Sequence, residues 1–156
     1  MIDRRLIHYS GEPLGELRVF CQRKDAKPRG LWFSCEGEDD WKRWCEAENF
    51  RSDRFSEASQ IFIKEDANIL LIDSVFGIDA LTREFIAEPG EGAASFLSSY
   101  FIDWGKVSET YQGIIISPYQ WSRRLEGGAS WYYGWDCASG CVWDYAAIEK
   151  IEKVIP

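Results

Sequence analysis

The sequence predicts an α+β fold of mostly antiparallel strands with short flanking helices, folded as one domain over residues 1–156. Three observations carry that expectation. Short β-branched or alternating apolar runs recur along the chain, the 3.6-residue periodicity of a helix surfaces in only a few stretches, and Gly and Pro turns separate the runs without a linker or repeat. A chain of 156 residues is long enough to bury about two-thirds of its unfolded surface in such a domain.

In chain order, "RRLIHYS" (4–10) reads as a short strand stopped by the turn "GEPLG". "LRVF" (17–20) is a brief apolar run, and "QRKDAKPR" (22–29) is a charged loop. Pro28 and Gly30 lead into a second strand, "GLWFS" (30–34). Trp41, Trp44, Cys45 and Glu48 then fall at i, i+3, i+4 and i+7 behind an acidic run suited to a helix N-terminus, so a helix follows. "QIFIKED" (60–66) alternates as a half-buried strand does, whereas "NILLIDSV" (68–75) is continuous enough for a fully buried one. Helices are expected over "IDALTREFI" (78–86) and "AASFLSSYFIDW" (93–104), the second continuing into "WGKVSETY" (104–111). "GIIISPY" (113–119) is β-branched and ends at proline; "WYYGWD" (131–136) and "SGCVWDY" (139–145) read as closing strands. "AAIEKIEKVI" (146–155) suits a short amphipathic helix or a strand.

Composition narrows the function classes. Net charge is −8, which gives no general attraction to nucleic acid or to an anionic membrane surface, although Arg123 and Arg124 leave room for a local basic groove. No stretch approaches the roughly twenty apolar residues of a membrane span, and "MIDRRLIHYSGEP" lacks a signal-peptide core, so a cytoplasmic protein that does not engage membrane is expected. Five cysteines without export context read as reduced thiols. With one histidine and no CxxC pair, a metal site on Cys137 and Cys141 is not expected. Neither GxGxxG nor GxxxxGK[ST] occurs, which removes the Rossmann and P-loop modes of nucleotide binding.

The unusual feature is indole: eight tryptophans in all, three of them in "GLWFSCEGEDDWKRWC" (30–45). Alternation along a strand puts Trp32 and Ser34 on one face, and Leu6 and His8 on one face of theirs. If the faces carrying His8 and Trp32 meet, the imidazole stands beside a flat aromatic wall. Each residue also has a plain structural reading. Trp41 and Trp44 at helical spacing suit a core, a lone histidine at a strand end is commonly a hydrogen-bonded structural residue, and Asp136 after Trp135 suits a turn cap.

A strand carrying "HYS" followed some twenty residues later by "GLWFS" resembles the front half of the ADP-ribosyltransferase fold. There an N-terminal strand supplies a histidine and a second strand of the form G-[LI]-Y-F-[SA] supplies an aromatic residue. In the poly(ADP-ribose) polymerase-like branch these two act with a glutamate on a later strand. The resemblance implies split antiparallel β-sheets with short flanking helices, and NAD as substrate without a metal. His8 matches the first position, and Trp32 stands where the family has tyrosine. The glutamate has no match: Ser139 occupies its aligned position and Asp136 is the nearest carboxylate. Arg5 would suit the arginine branch, but it faces away from His8 on a regular strand, and the Ser-Thr-Ser-type second strand of that branch is missing.

Breaking the nicotinamide–ribose bond develops oxocarbenium character, so the site needs an oriented ribose, an aromatic face beside the pyridinium and a nearby negative charge. The resemblance thus implies His8, Trp32, Asp136 and Ser139 as catalytic positions, with Tyr9, Ser10, Ser34, Trp41, Trp44 and Gln120 helping to hold NAD. Three functions remain open. One is ADP-ribosyl transfer to a protein or nucleic acid, as in compact bacterial or phage toxins and defence systems, with an antitoxin or regulatory partner. The second is NAD hydrolysis on the same fold. The third is a non-enzymatic tryptophan-rich domain that binds sugars, nucleotides or a partner chain, which would present its indoles as exposed platforms.

Overall fold

The computed structural model describes residues 3–50, 52–88 and 101–156. Seven strands make one sheet: β1 (Leu6–Ser10), β3 (Leu31–Cys35), β4 (Glu57–Ile63), β5 (Ile69–Ile72), β7 (Gly113–Ile116), β8 (Ser139–Val142) and β9 (Ile148–Val154), in the order β5-β7-β8-β3-β1-β4-β9. A two-residue strand β2 (Lys24–Asp25) pairs with β6 (Ile102–Asp103) in a separate small ladder. Every pairing is antiparallel except β5 with β7. Among the described residues, three α-helices, α1 (Trp41–Glu48), α2 (Val75–Phe85) and α3 (Trp104–Ser108), flank the strands. The protein is thus α+β with an antiparallel-dominated sheet, as its patterning predicts.

The register explains the burial. Ile7, Ser34, Ser139 and Ile116 form one row across β1, β3, β8 and β7. All four residues of β8 and of β7 are buried, as central strands covered on both faces must be. Gly140 sits where β3 and β7 crowd β8: a Cβ there would lie 2.6 Å from Phe33 Cε2 and 2.7 Å from the Ile114 carbonyl oxygen.

One end of this core is almost wholly aromatic. Trp104, Trp131, Tyr132 and Trp135 are nearly fully buried, and Trp143 joins them. Trp104 and Trp131 meet edge to face with centroids 6.0 Å apart, Trp131 and Trp135 likewise at 6.1 Å. Each indole finds an acceptor for its N–H: Trp104 on Asp25 O at 3.0 Å, Trp131 on Thr82 Oγ1 at 2.8 Å, Trp143 on Tyr111 O at 2.7 Å, and Trp135 on Ala26 O at a longer 3.5 Å.

Helix α1 forms where its spacing places it. Asp40 caps it, its carboxylate accepting from the N–H groups of Arg43 and Gly37 at 2.9 and 3.0 Å, and Asn49 closes it in the left-handed conformation. Three expectations change, and one left open is decided. Residues 68–75 give only the four-residue β5, and Leu71 is 49% exposed because β5 is an edge strand. Of the helix expected over 93–104, residues 93–100 lie outside the described residues. Ile102 and Asp103 are strand, and Asp103 caps the separate helix α3 by accepting from the Lys106 N–H. The 131–136 stretch is not a strand: residues 127–134 form 3₁₀ turns. Strand alternation would put Trp131, Tyr133 and Trp135 on one face, but Tyr133 is exposed while Trp131, Tyr132 and Trp135 are buried, so these rings reach the core only from a coiled backbone. The C-terminal segment, open to either form, is strand β9, paired with β4.

Gly140→Ala is expected to overpack the β3–β8–β7 contact and cost about 1–3 kcal/mol of stability, measured by urea unfolding. An unchanged midpoint would mean that Phe33 and the β7 backbone yield without strain.

Candidate functional site

The β1–β3 ladder contains two pairs, Leu6 with Cys35 and Ile7 with Ser34, and then stops. The strands part there, and a cleft of about 220 Å³ opens between them. Its walls come from β1 (Ile7, His8, Tyr9), β3 (Trp32, Phe33, Ser34), the first residue of α1 (Trp41), Lys27, and the approach to β8 (Trp135, Asp136, Cys137, Ser139).

The register that aligns Ile7 with Ser34 puts Trp32 on their face and His8 on the other. His8 and Trp32 therefore do not meet by sharing a face. They meet because the ladder ends, and the His8 ring bonds the backbone of β3 instead: Nδ1 lies 2.7 Å from Trp32 O. A carbonyl only accepts, so Nδ1 carries the proton, and in the neutral ring Nε2 is left as an acceptor. No partner for Nε2 occurs among the described residues.

The opposite wall is built by tryptophan. Trp32 donates its N–H to Pro28 O at 3.3 Å and meets Trp135 edge to face with centroids 4.9 Å apart. With the bonds from Trp104 and Trp135, three indole N–H groups take the carbonyls of Asp25, Ala26 and Pro28, which flank Lys27. Gln22 closes the same loop, bonding both the N–H and the carbonyl of Arg29. Lys27 thus sits on a fastened loop with Nζ 5.2 Å from the Trp32 ring centroid. Although its side chain keeps access to solvent, desolvation beside these rings draws its ammonium below the usual lysine range, against the opposing pull of Asp136.

Asp136 is half-buried and holds Arg124 Nη2 at 3.0 Å through Oδ1. Desolvation raises its carboxyl above the usual range, with Lys27 and Arg124 opposing that shift. Ser139 is buried and donates its hydroxyl to Cys137 O at 3.1 Å. Burial pushes the Cys137 and Cys35 thiols up to about 12, which leaves neither as a ready thiolate nucleophile. The five cysteines form no disulfide, and no cluster of three or more His, Cys, Asp or Glu able to hold a metal occurs among the described residues. No helix there is long and apolar enough to cross a membrane.

Of the residues the sequence singles out, His8, Tyr9, Trp32, Ser34, Trp41, Asp136 and Ser139 line the cleft. Ser34 also anchors α1, its Oγ accepting from the Trp41 N–H at 2.9 Å. Trp44 is outside the cleft and stacks on Trp41, centroids 5.1 Å apart and planes at 11°. Ser10 bonds the Glu12 carbonyl and lines an adjoining polar depression that shares His8 with the cleft. Gln120 does not line the cleft: its N–H bonds the Tyr132 hydroxyl and its side chain bonds Pro118 O, because the bend after β7 turns it into the aromatic core. Arg5 reaches Gln60 and Glu36, away from the cleft. Ile7, Lys27, Phe33, Trp135 and Cys137 also line the cleft, and sequence patterning did not mark them as site residues. Lys27 stands in a charged loop with no period, and its placement depends on indole contacts from residues up to 109 positions away.

The raised Asp136 carboxyl has a thermodynamic sign. The folded state holds that proton more tightly than the unfolded chain, so Asp136 contributes stability at low pH that is lost as pH rises through its elevated folded value. Comparing wild type with Asp136→Asn by urea unfolding from about pH 3 to about pH 7 should therefore show the difference moving in the variant's favour as pH rises. The opposite trend would make the Arg124 and Lys27 charges the dominant influence on this group.

Comparison with protein-family models, with curated proteins and with solved structures gives no match to this chain.

Proposed function

We propose that the cleft binds NAD and that the protein transfers ADP-ribose from it to a macromolecular acceptor, a protein or a nucleic acid. The observation that supports this reading most is convergence: His8, Trp32, Asp136 and Ser139 come from distant parts of the chain and line one cleft. In this reading His8, held by its Nδ1 bond to Trp32 O, offers Nε2 to a ribose hydroxyl. Trp32 and Trp41 supply the aromatic walls that exclude water and favour a cationic ring. Asp136 keeps a carboxylate in a half-buried setting, where it stabilises the oxocarbenium ion as nicotinamide departs. Ser139 stands beside Ser34 in the register and contributes a hydroxyl oxygen to the same wall. The acceptor's own nucleophile then attacks the anomeric carbon. Water in its place would give NAD hydrolysis.

The burial of Trp104, Trp131, Trp135 and Trp143 weighs against a flat sugar-binding platform, since the strongly exposed indole among the described residues is Trp121, at 60%. The reading is tested by incubating the pure protein with NAD and following free nicotinamide by chromatography. Nicotinamide release is expected, lost in His8→Ala and reduced about 10²–10³-fold in Asp136→Asn, with NAD affinity held within a few-fold. No binding and no release at millimolar NAD would remove the proposal. Loss of turnover in Ser139→Ala with Asp136→Asn near normal would move the third catalytic position to Ser139.

A further inference from the structure

The cleft carries a cation that no carboxylate among the described residues holds in a direct ion pair. Lys27 lines the cleft and makes no ion pair among the described residues. Asp136, the carboxylate on the same cleft, is taken by Arg124 at 3.0 Å. The lysine is also held in place. Its loop is fastened through the carbonyls of Asp25, Ala26 and Pro28 by Trp104, Trp135 and Trp32, and its stem passes so close to Gly134 that a Cβ there would lie 3.4 Å from Lys27 Cε. A long side chain normally loses much rotamer freedom on binding, and a fastened loop and a flanking ring reduce that loss beforehand.

A preorganised, unpaired ammonium at the rim of an aromatic cleft fits one ligand chemistry. We propose that Lys27 takes a phosphate group of the bound ligand, so that the cleft selects phosphorylated nucleotides over the nucleosides that lack phosphate. Lys27 is then a specificity-determining residue, acting as a point charge on the phosphate and closing over the Trp32 wall. The inference rests on reading this cleft as a nucleotide site and adds the part of the ligand that reading leaves unassigned.

The test titrates the full-length protein at constant ionic strength with three probes, inorganic pyrophosphate, NAD and nicotinamide riboside, following tryptophan emission. Wild type should bind pyrophosphate saturably. Lys27→Gln should weaken pyrophosphate and NAD about ten- to hundred-fold, the range of one lost charge-assisted hydrogen bond, while leaving nicotinamide riboside unchanged. Lys27→Arg should recover most of the loss, and an unchanged thermal midpoint for Lys27→Gln shows that the loop is intact. The proposal is overturned if wild type does not respond to pyrophosphate, or if Lys27→Gln binds pyrophosphate or NAD as wild type does. Lys27-dependent pyrophosphate binding without any response to NAD keeps the phosphate assignment and removes the nicotinamide reading. NAD binding that is indifferent to Lys27 does the reverse.

Discussion

A buried indole must place its N–H on an acceptor, and this single requirement organises much of the molecule. Leaving such a donor unpaired in the core costs about 1–3 kcal/mol, a large share of a domain's net stability. Trp104, Trp131, Trp135 and Trp143 meet the requirement by reaching to backbone or side-chain oxygens on other parts of the chain. Each bond therefore ties a distant segment to the aromatic core. Trp131 fastens α2 through Thr82, Trp143 fastens the segment between α3 and β7 through Tyr111, and Trp104 and Trp135 fasten the loop around Lys27. The loop has only the two-residue β2–β6 ladder of its own, so the indoles supply the order that a longer strand would otherwise give.

The cleft follows from the same core by a second constraint. β3 pairs fully with β8, whereas its pairing with β1 ends after two residues. Two strands that part inside a sheet expose backbone groups that need partners. His8 meets that need by bonding the Trp32 carbonyl, so the residue that lines the gap also braces it. Structure and chemistry are coupled at this point: the bond that settles the backbone fixes the tautomer, and the tautomer decides that Nε2 faces any ligand as an acceptor.

Much of this was legible in the sequence, because alternation and helical spacing report burial directly. β1, β3, β7, β8 and α1 fall where their patterns place them, while β4 starts three residues before its expected run and ends at Ile63. The stretch 131–136 misled because four large aromatics in six residues resemble a strand, while the actual burial order, with Tyr133 outside, has no period of two. His8, Tyr9, Trp32 and Ser34 were legible as neighbours because β1 and β3 are adjacent strands, although His8 reaches Trp32 past the end of the ladder and not across a shared face, and Ser10 falls in the adjoining depression. Gln120 was not, since a bend after β7 decides where it points, and Lys27 was not, since its position is set by indole bonds across the whole chain. Trp44 shows a subtler limit: helical spacing marks a shared stripe, and in that stripe Trp41 faces the cleft while Trp44 stacks behind it.

The indoles build the cleft between β1 and β3, and the proposal that it takes a nucleotide can be read from the eight indole N–H resonances of the ¹⁵N-labelled protein. On addition of NAD, the signals of Trp32, Trp41 and Trp135 should shift together and saturate together, while those of Trp143 and the exposed Trp121 stay in place. Shifts confined to Trp121, or no shift in any of the three cleft indoles, would contradict it.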